Sequence, residues 1–395
     1  MRQHLTTTIS TFRDLIRENC LYVDKSEYLH RLISKPKGQF FLSRPRRFGK
    51  SLTLSSLESF FLGEKELFQG LALGTLQDPW KSYPIISLSL NKIPPGDGKS
   101  IAGSLALLIA RKAESEGISL QAEGAPAMFE ELMYRLYRKS GPVVVLIDEY
   151  DKPILDAIIE EEKVADIRTL LKSFYGMIKA CEEYLRFTFI TGVSKFTQVS
   201  IFSDLNNLED ISMKDDFASL CGFTQEEVEH YFEPWIGENL AKSGLSRMEY
   251  LEQLKLTYNG IRFTRAPVQV YNPVSLTLAM EEGRFDHYWF STGTPTFLIK
   301  LLKKRFTEPL SKLEDLQLPP EAFTSYEVEE ARVEALLYQT GYLTIKEYNE
   351  ESNIYTLSYP NDEVRRAFLH QLADNFTATP GGRAPSHIED VKKAL

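Results

Sequence analysis

Gly49, Lys50 and Ser51 bring together three residue types that handle a phosphate. Glycine lets the backbone approach an oxyanion with no Cβ in the way. Lysine supplies a compact positive charge on a flexible stem. A serine hydroxyl at this spacing can sit on a divalent cation. The run Arg44-Pro45-Arg46-Arg47-Phe48-Gly49-Lys50-Ser51 fits the phosphate-loop pattern G-x-x-x-x-G-K-[ST] except at its first position, where Arg44 replaces glycine. The expected phosphate-binding set runs from Arg44 to Leu52. Backbone N–H groups at a helix N-terminus would cradle the phosphates, and Lys50 would reach the β- and γ-phosphates. A second triplet, Gly98-Lys99-Ser100, also lies between a strand-like and a helix-like segment. It is the weaker candidate, because Ile93-Pro94-Pro95 ahead of it is a stiff surface turn rather than a loop leaving a buried strand.

A second constellation is Asp148-Glu149, at the end of the apolar run Val143-Val144-Val145-Leu146-Ile147. In phosphoryl transfer, one carboxylate there holds the Mg²⁺ shell and the next orients the attacking water. Asp148, with Ser51, is therefore the expected metal set, and Glu149, with Lys50, the expected catalytic set. An exposed acidic turn is the alternative for this pair taken alone. Beyond Phe187-Thr188-Phe189-Ile190-Thr191 come Gly192, Ser194 and Lys195. Thr191 and Ser194 are candidate γ-phosphate sensors, and a turn using the backbone freedom of Gly192 is an equal alternative. The implied cofactors are ATP and Mg²⁺.

These residues need a scaffold. Gln39–Ser43, Pro84–Leu90, Val143–Ile147 and Phe187–Thr191 read as buried strands. Helical patterns fall between them, over Leu52–Phe61, Ile101–Glu116, Phe129–Lys139 and Val164–Leu185. Strands alternating with helices imply a parallel α/β sheet with right-handed crossovers, whose ligands bind at the carboxyl ends of the strands. From Thr224 to Leu254 the pattern is helical, opened by Thr224 with Glu227 three residues on, a capping box. Val333–Gln339 reads as a helix. Leu343–Ile345 and Tyr355–Leu357 pair across the polar turn Asn349–Ser352, and another helix starts at Glu363. That order suggests a small winged-helix-like unit. The expected organisation is a phosphate-loop core at 1–215, a helical lid at 216–325, the winged-helix-like unit at 326–372 and a flexible tail at 373–395.

A net charge of −9 over 395 residues argues against wrapping nucleic acid over the whole surface. It leaves room for a local basic run such as Lys300, Lys303, Lys304 and Arg305, for which a solvated helix face is the simpler account. Three dispersed cysteines and six dispersed histidines show no metal-ligand spacing. No apolar stretch is long enough for a transmembrane helix, and the N-terminus lacks a signal-peptide core, so the expectation is a cytoplasmic protein without a membrane partner.

The sequence resembles the bacterial AAA-ATPase-like family of P-loop proteins. The resemblance is carried by Tyr22-Val23-Asp24-Lys25, the loop 44–51, Leu146-Ile147-Asp148-Glu149-Tyr150-Asp151-Lys152-Pro153, Asn206-Asn207-Leu208, Tyr258-Asn259-Gly260, Val270-Tyr271-Asn272-Pro273, Tyr288-Trp289-Phe290, Thr292–Leu298 and Tyr359-Pro360-Asn361. Arginine in place of the first loop glycine is characteristic of that family. The resemblance implies an ASCE-type ATPase core, with Glu149 as the catalytic carboxylate beside Asp148, and places Tyr22–Lys25 near the nucleotide base. Arg262 is a candidate for the γ-phosphate, an exposed arginine being the commoner outcome. Members often carry a PD-(D/E)XK nuclease domain. The tail here has no strand bearing Asp followed by Glu-x-Lys, so nuclease activity is not expected of this chain. A nucleic acid, a separate nuclease or further copies of the chain are the partners compatible with this reading. A nucleotide-dependent switch without turnover is the alternative to an ATPase.

Overall fold

The computed structural model describes residues 3–76, 80–195, 201–202, 205–291, 296–305, 313–323 and 333–376. The Thr292–Pro295 part of the family motifs, the tail beyond 376, and the side chains of Lys300, Lys303, Lys304 and Arg305 lie outside the described residues.

Five parallel strands form the central sheet: β1 (Gln39–Ser43), β2 (Ile85–Ser89), β3 (Val143–Asp148), β4 (Leu185–Gly192) and β5 (Glu209–Asp210). Their order is β2-β3-β4-β1-β5. β4 thus lies between the strand entering the phosphate loop and the strand ending in Asp148, as in an ASCE-type P-loop NTPase. Every residue of β1 and β3 is buried. Helices cover both faces, which is why these strands read as continuous apolar runs rather than as alternating ones. The register sets Ser43 opposite Gly192, and Ser89 opposite Asp148, so the strands' carboxyl ends form one edge.

The expected helix Val164–Leu185 is instead Glu161–Ala180, followed by a single turn, and Leu185 already belongs to β4. The long pattern from Thr224 becomes three helices: Gln225–Tyr231, Glu233–Ser243 and Arg247–Tyr258. Pro234 permits only a first-turn position in its helix, and Gly244, at φ +70°, closes it. The expected capping box of Thr224 and Glu227 is present, and Ser246 with Glu249 forms a second. These helices, with Pro273–Glu282, build their own core around Val228, Phe232, Ile236, Leu254, Tyr258 and Leu276.

Further on, β7 (Thr344–Asn349) and β8 (Ile354–Ser358) pair antiparallel, and β8 also pairs with β6 (Leu316–Leu318). Val333–Gln339 precedes this hairpin and Asp362–Phe376 follows it, giving the expected helix–hairpin–helix order. Its apolar residues, among them Leu336, Ile345, Leu357 and Phe368, share one continuous core with the parallel sheet.

Candidate active site

The phosphate-loop segment leaves β1 at Ser43 and enters the helix Lys50–Phe61 through Gly49, which sits at φ +89° as the helix N-cap. A left-handed residue there turns the first N–H groups of the helix toward the loop, and only glycine adopts that shape without strain. Gly63, at φ +80°, follows the end of the same helix.

Lys50 is almost wholly buried, and its ammonium donates to the carbonyls of Arg44 at 2.9 Å and Pro45 at 2.8 Å. Burial pushes its pKa down, opposed by the charges of Asp148 and Glu149. The Ser51 hydroxyl donates to Oδ2 of Asp148 at 2.6 Å, and the Thr191 hydroxyl donates to Oδ1 at 2.5 Å. Asp148 therefore ties the helix after the loop to β4. Glu149 follows at φ +53°, a left-handed conformation costly for a long side chain, and is half-buried. Burial raises its pKa, with Lys50 pulling it down and Asp148 pushing it up.

Lys50, Ser51 and Glu149 border a cleft of about 580 Å³, and Asp148 lies behind Ser51 without lining it. Arg46, Arg47, Phe48, Gly49, Lys50, Ser51, Leu52 and Glu149 line it, as do Tyr22, Val23 and Lys25 of the first family motif. Arg46 and Arg47 are exposed at its mouth. The sequence reading missed three other walls. One is the N-terminal segment with Leu5, Thr6, Thr7, Ile9 and Ser10. A second is Leu220–Phe223, and a third comes from Phe232, Pro273, Val274 and Thr277 of the helical region. No spacing within the sequence signals that such distant segments converge. Asn91 and Lys152 also face the cleft. The Lys25 ammonium is held behind the cleft surface, donating to Glu227 at 2.6 Å and to the Ser219 carbonyl at 2.7 Å. Asp24 caps its local turn, accepting from the Ser26 N–H at 2.8 Å.

Several expected site residues are placed elsewhere. Arg44 and Pro45 do not line the cleft, although their carbonyls meet Lys50. The Arg44 guanidinium is turned inward, donating to the carbonyls of Ser43, Ser212 and Phe217. Thr191 is fully buried behind Asp148 rather than on the cleft wall. The Ser194 hydroxyl is consumed by Asp151, which also accepts the N–H groups of Val193 and Ser194. Asp151, to which the sequence reading gave no role, thus staples the exits of β3 and β4 together. Gly192 serves close packing and not backbone freedom, since a Cβ there would overlap the Tyr150 ring. Arg262 is neither exposed nor among the residues that line the cleft. Its guanidinium is satisfied by the carbonyls of Thr264, Arg265 and Ala266. The rival triplet has a different occupation. Asp97 caps the helix Gly98–Ser115, its carboxylate accepting from the Ser100 N–H at 2.8 Å and from the Ser100 hydroxyl at 2.6 Å. The chain's own anion already holds that helix N-terminus.

A Mg²⁺ ion prefers oxygen ligands and keeps several waters, so it needs few protein groups. The Ser51 hydroxyl with Asp148 behind it fits that demand. Among the described residues no cluster of three or more His, Cys, Asp or Glu side chains offers an all-protein metal site.

Residues 6–202 match the model of a family described as predicted AAA-ATPase. An uncharacterised protein from the vnfD 5′ region of Azotobacter chroococcum is 37% identical over 386 residues, spanning 96% of this chain and 72% of that protein. The chain belongs to the AAA-ATPase-like family. Its sheet, loop and acidic strand end are those of a P-loop ATPase in general. Remote likenesses exist to the solved structure of the Aeropyrum pernix ORC1 protein in complex with DNA (12% identity, 94% of each chain, TM-score 0.31). Another is to Cdc6p from Pyrobaculum aerophilum (10% identity, 94% of this chain and 97% of that one, TM-score 0.35). Overlap this loose says nothing of what the AAA-ATPase-like chain binds. No helix among its described residues is long and apolar enough to cross a membrane.

Proposed function

We propose that this chain binds ATP in the 580 Å³ cleft and hydrolyses it with Mg²⁺, using the energy to move its helical and C-terminal regions. The observation that carries the reading is the Ser51–Asp148 hydrogen bond, with Lys50 beside it and Glu149 next in sequence, at the carboxyl edge of the sheet. Lys50 would exchange its two carbonyl partners for the β- and γ-phosphates, an exchange of neutral acceptors for charged ones. Ser51 and Asp148 would hold Mg²⁺, which when bound neutralises charge on the phosphate oxygens. The Glu149 carboxylate would orient a water toward the γ-phosphorus and accept its proton. The new P–O bond forms as the bond to ADP breaks, and inorganic phosphate leaves. The apolar wall of Leu5, Ile9, Leu21, Phe223 and Val274 suits a flat base.

Phosphate release and ATP affinity measured side by side test this. Lys50→Ala is expected to lose roughly tenfold or more in ATP affinity, the worth of a hydrogen bond to a charged group. Glu149→Gln is expected to keep ATP and lose about 10²–10⁴ in turnover. Equal phosphate release by wild type and Lys50→Ala would sink the assignment. ATP binding with no turnover to lose would leave a nucleotide switch. Because burial raises the Glu149 pKa and the carboxylate is the working form, the acid limb of the rate profile should lie above the usual range for glutamate.

A further inference from the structure

Arg44 stands where the phosphate-loop pattern has glycine, yet its guanidinium is buried and aimed out of the cleft. Nη1 donates to the carbonyls of Ser43 at 2.9 Å and Ser212 at 2.7 Å, and Nη2 to Phe217 at 3.1 Å. The same group lies 4.2 Å from the centre of the Phe263 ring. Burying a guanidinium is costly unless its donors are met. Here three carbonyls meet the two Nη groups and a ring face covers the plane, all from outside the loop helix, while Nε has no hydrogen-bond partner among the described residues.

The neighbours of Arg44 repeat the pattern. Phe48 meets Phe263 edge-on, with ring centres 5.4 Å apart. Pro45 packs against Gly341, where an added Cβ would come within 3.0 Å of Pro45 and 2.9 Å of the Trp289 ring. The Tyr338 hydroxyl donates to the Phe263 carbonyl at 2.9 Å, tying that ring to the helix Val333–Gln339. The first half of the loop is therefore seated on the C-terminal unit. Lys50 ends on the carbonyls of the same two residues, Arg44 and Pro45.

We propose that Arg44 is a positioning residue that fixes the phosphate loop to Phe263 and the C-terminal unit, so that phosphate binding by Lys50 changes how that unit is held. The inference rests on the ATP reading of the cleft. Lys50 leaving two carbonyls alters the segment that Arg44 and Pro45 dock, and the docked surface feels it. Coupling of this kind is reciprocal. A change on the C-terminal side must then alter nucleotide affinity, although it touches no wall of the cleft. Glycine at position 44 would complete the phosphate-loop pattern and nevertheless weaken the site.

The test titrates ATP by calorimetry into the wild type, Lys50→Ala, Arg44→Gly, Arg44→Lys and Gly341→Ala. Trp289 emission is followed in a Trp80→Phe, Trp235→Phe background. Gly341 is at φ +85°, so an alanine there strains the turn and presses on Pro45. Arg44→Gly and Gly341→Ala are expected to bind ATP roughly 5–150-fold more weakly, the usual span of coupling between sites. Arg44→Lys should recover part of the loss, and ATP should shift Trp289 emission in the wild-type loop but not in Arg44→Gly. Should Arg44→Gly fail to fold, Gly341→Ala and Phe263→Leu carry the same test. Wild-type affinity in the folded variants, with Trp289 indifferent to ATP, overturns the proposal while Lys50→Ala still upholds the ATP reading. A wild type that binds no ATP removes both.

Discussion

Three arginines in one loop divide between two environments. Arg44 is buried and structural, whereas Arg46 and Arg47 are exposed on the cleft. Arg47 is also held at φ +64°. A left-handed conformation costs a residue with a Cβ about 1–2 kcal/mol. Glycine would remove that cost but bring its own entropic penalty of about 0.5–1 kcal/mol. Arg47→Gly should therefore leave the fold unchanged or slightly more stable in urea titration, by about 0.5 kcal/mol, while ATP affinity falls. A clear loss of stability would mean that the side chain bears structure rather than facing phosphate. Glu149 shares the left-handed conformation, so two long charged side chains of opposite sign are held in costly backbone shapes on one cleft. Strain of this sort persists only where the surrounding structure over-determines it.

At the scale of elements, the strands with continuous apolar runs were legible, because burial on both faces leaves an unmistakable composition. So were the capping box at Thr224 and the C-terminal hairpin. β5 was not: its two residues, Glu209 and Asp210, carry no hydrophobic pattern and are strand only because β1 offers a free edge. The Lys50, Ser51 and Asp148 grouping was readable from local motifs. The inward turn of Arg44 was not, since its partners at 212, 217 and 263 are chosen by tertiary packing. The family motifs at 258–260 and 359–361 proved to be each other's partners. The Asn361 side-chain amide donates to the Asn259 carbonyl at 2.7 Å, and the Gly260 N–H is held by the Asn259 side chain. Gly260 is at φ +103°, and a Cβ there would overlap the Pro360 carbonyl. Gly260→Ala should cost about 2–4 kcal/mol through combined strain and overpacking. Chemical denaturation checks it, and a loss under about 0.5 kcal/mol, as at an ordinary surface site, would disprove the contact.

Across the whole molecule, the helical region keeps its own core while the C-terminal unit shares that of the sheet. Glu363 is buried where the C-terminal helix meets Trp289. Oε1 accepts the Trp289 backbone N–H at 2.7 Å, and Oε2 has no hydrogen-bond partner among the described residues. Burial raises its pKa from 4.5 to about 7. Below the lower value both folded and unfolded chains carry the proton, and the neutral carboxyl is tolerated. As pH climbs toward 7 the unfolded chain ionises first, so folded stability drains away, by about 3 kcal/mol in all. Glu363→Gln, which mimics the neutral form, should therefore raise the melting temperature at pH 8 and leave it nearly unchanged at pH 4.5. A pH-independent difference between the two proteins would refute the burial account.

The cleft draws its walls from residues 5–10, from the loop at 46–53, from 220–223 and from 273–277. During synthesis, the ribosome must deliver Thr277 before the last wall exists. The sheet, complete at Asp210, can form well before that, because domains fold in the order they emerge. A nucleotide that needs every wall therefore stabilises the finished chain by mass action. The same arrangement bears on truncation: trimming through Ser10 leaves the entire phosphate loop in place and still opens the cleft on one side.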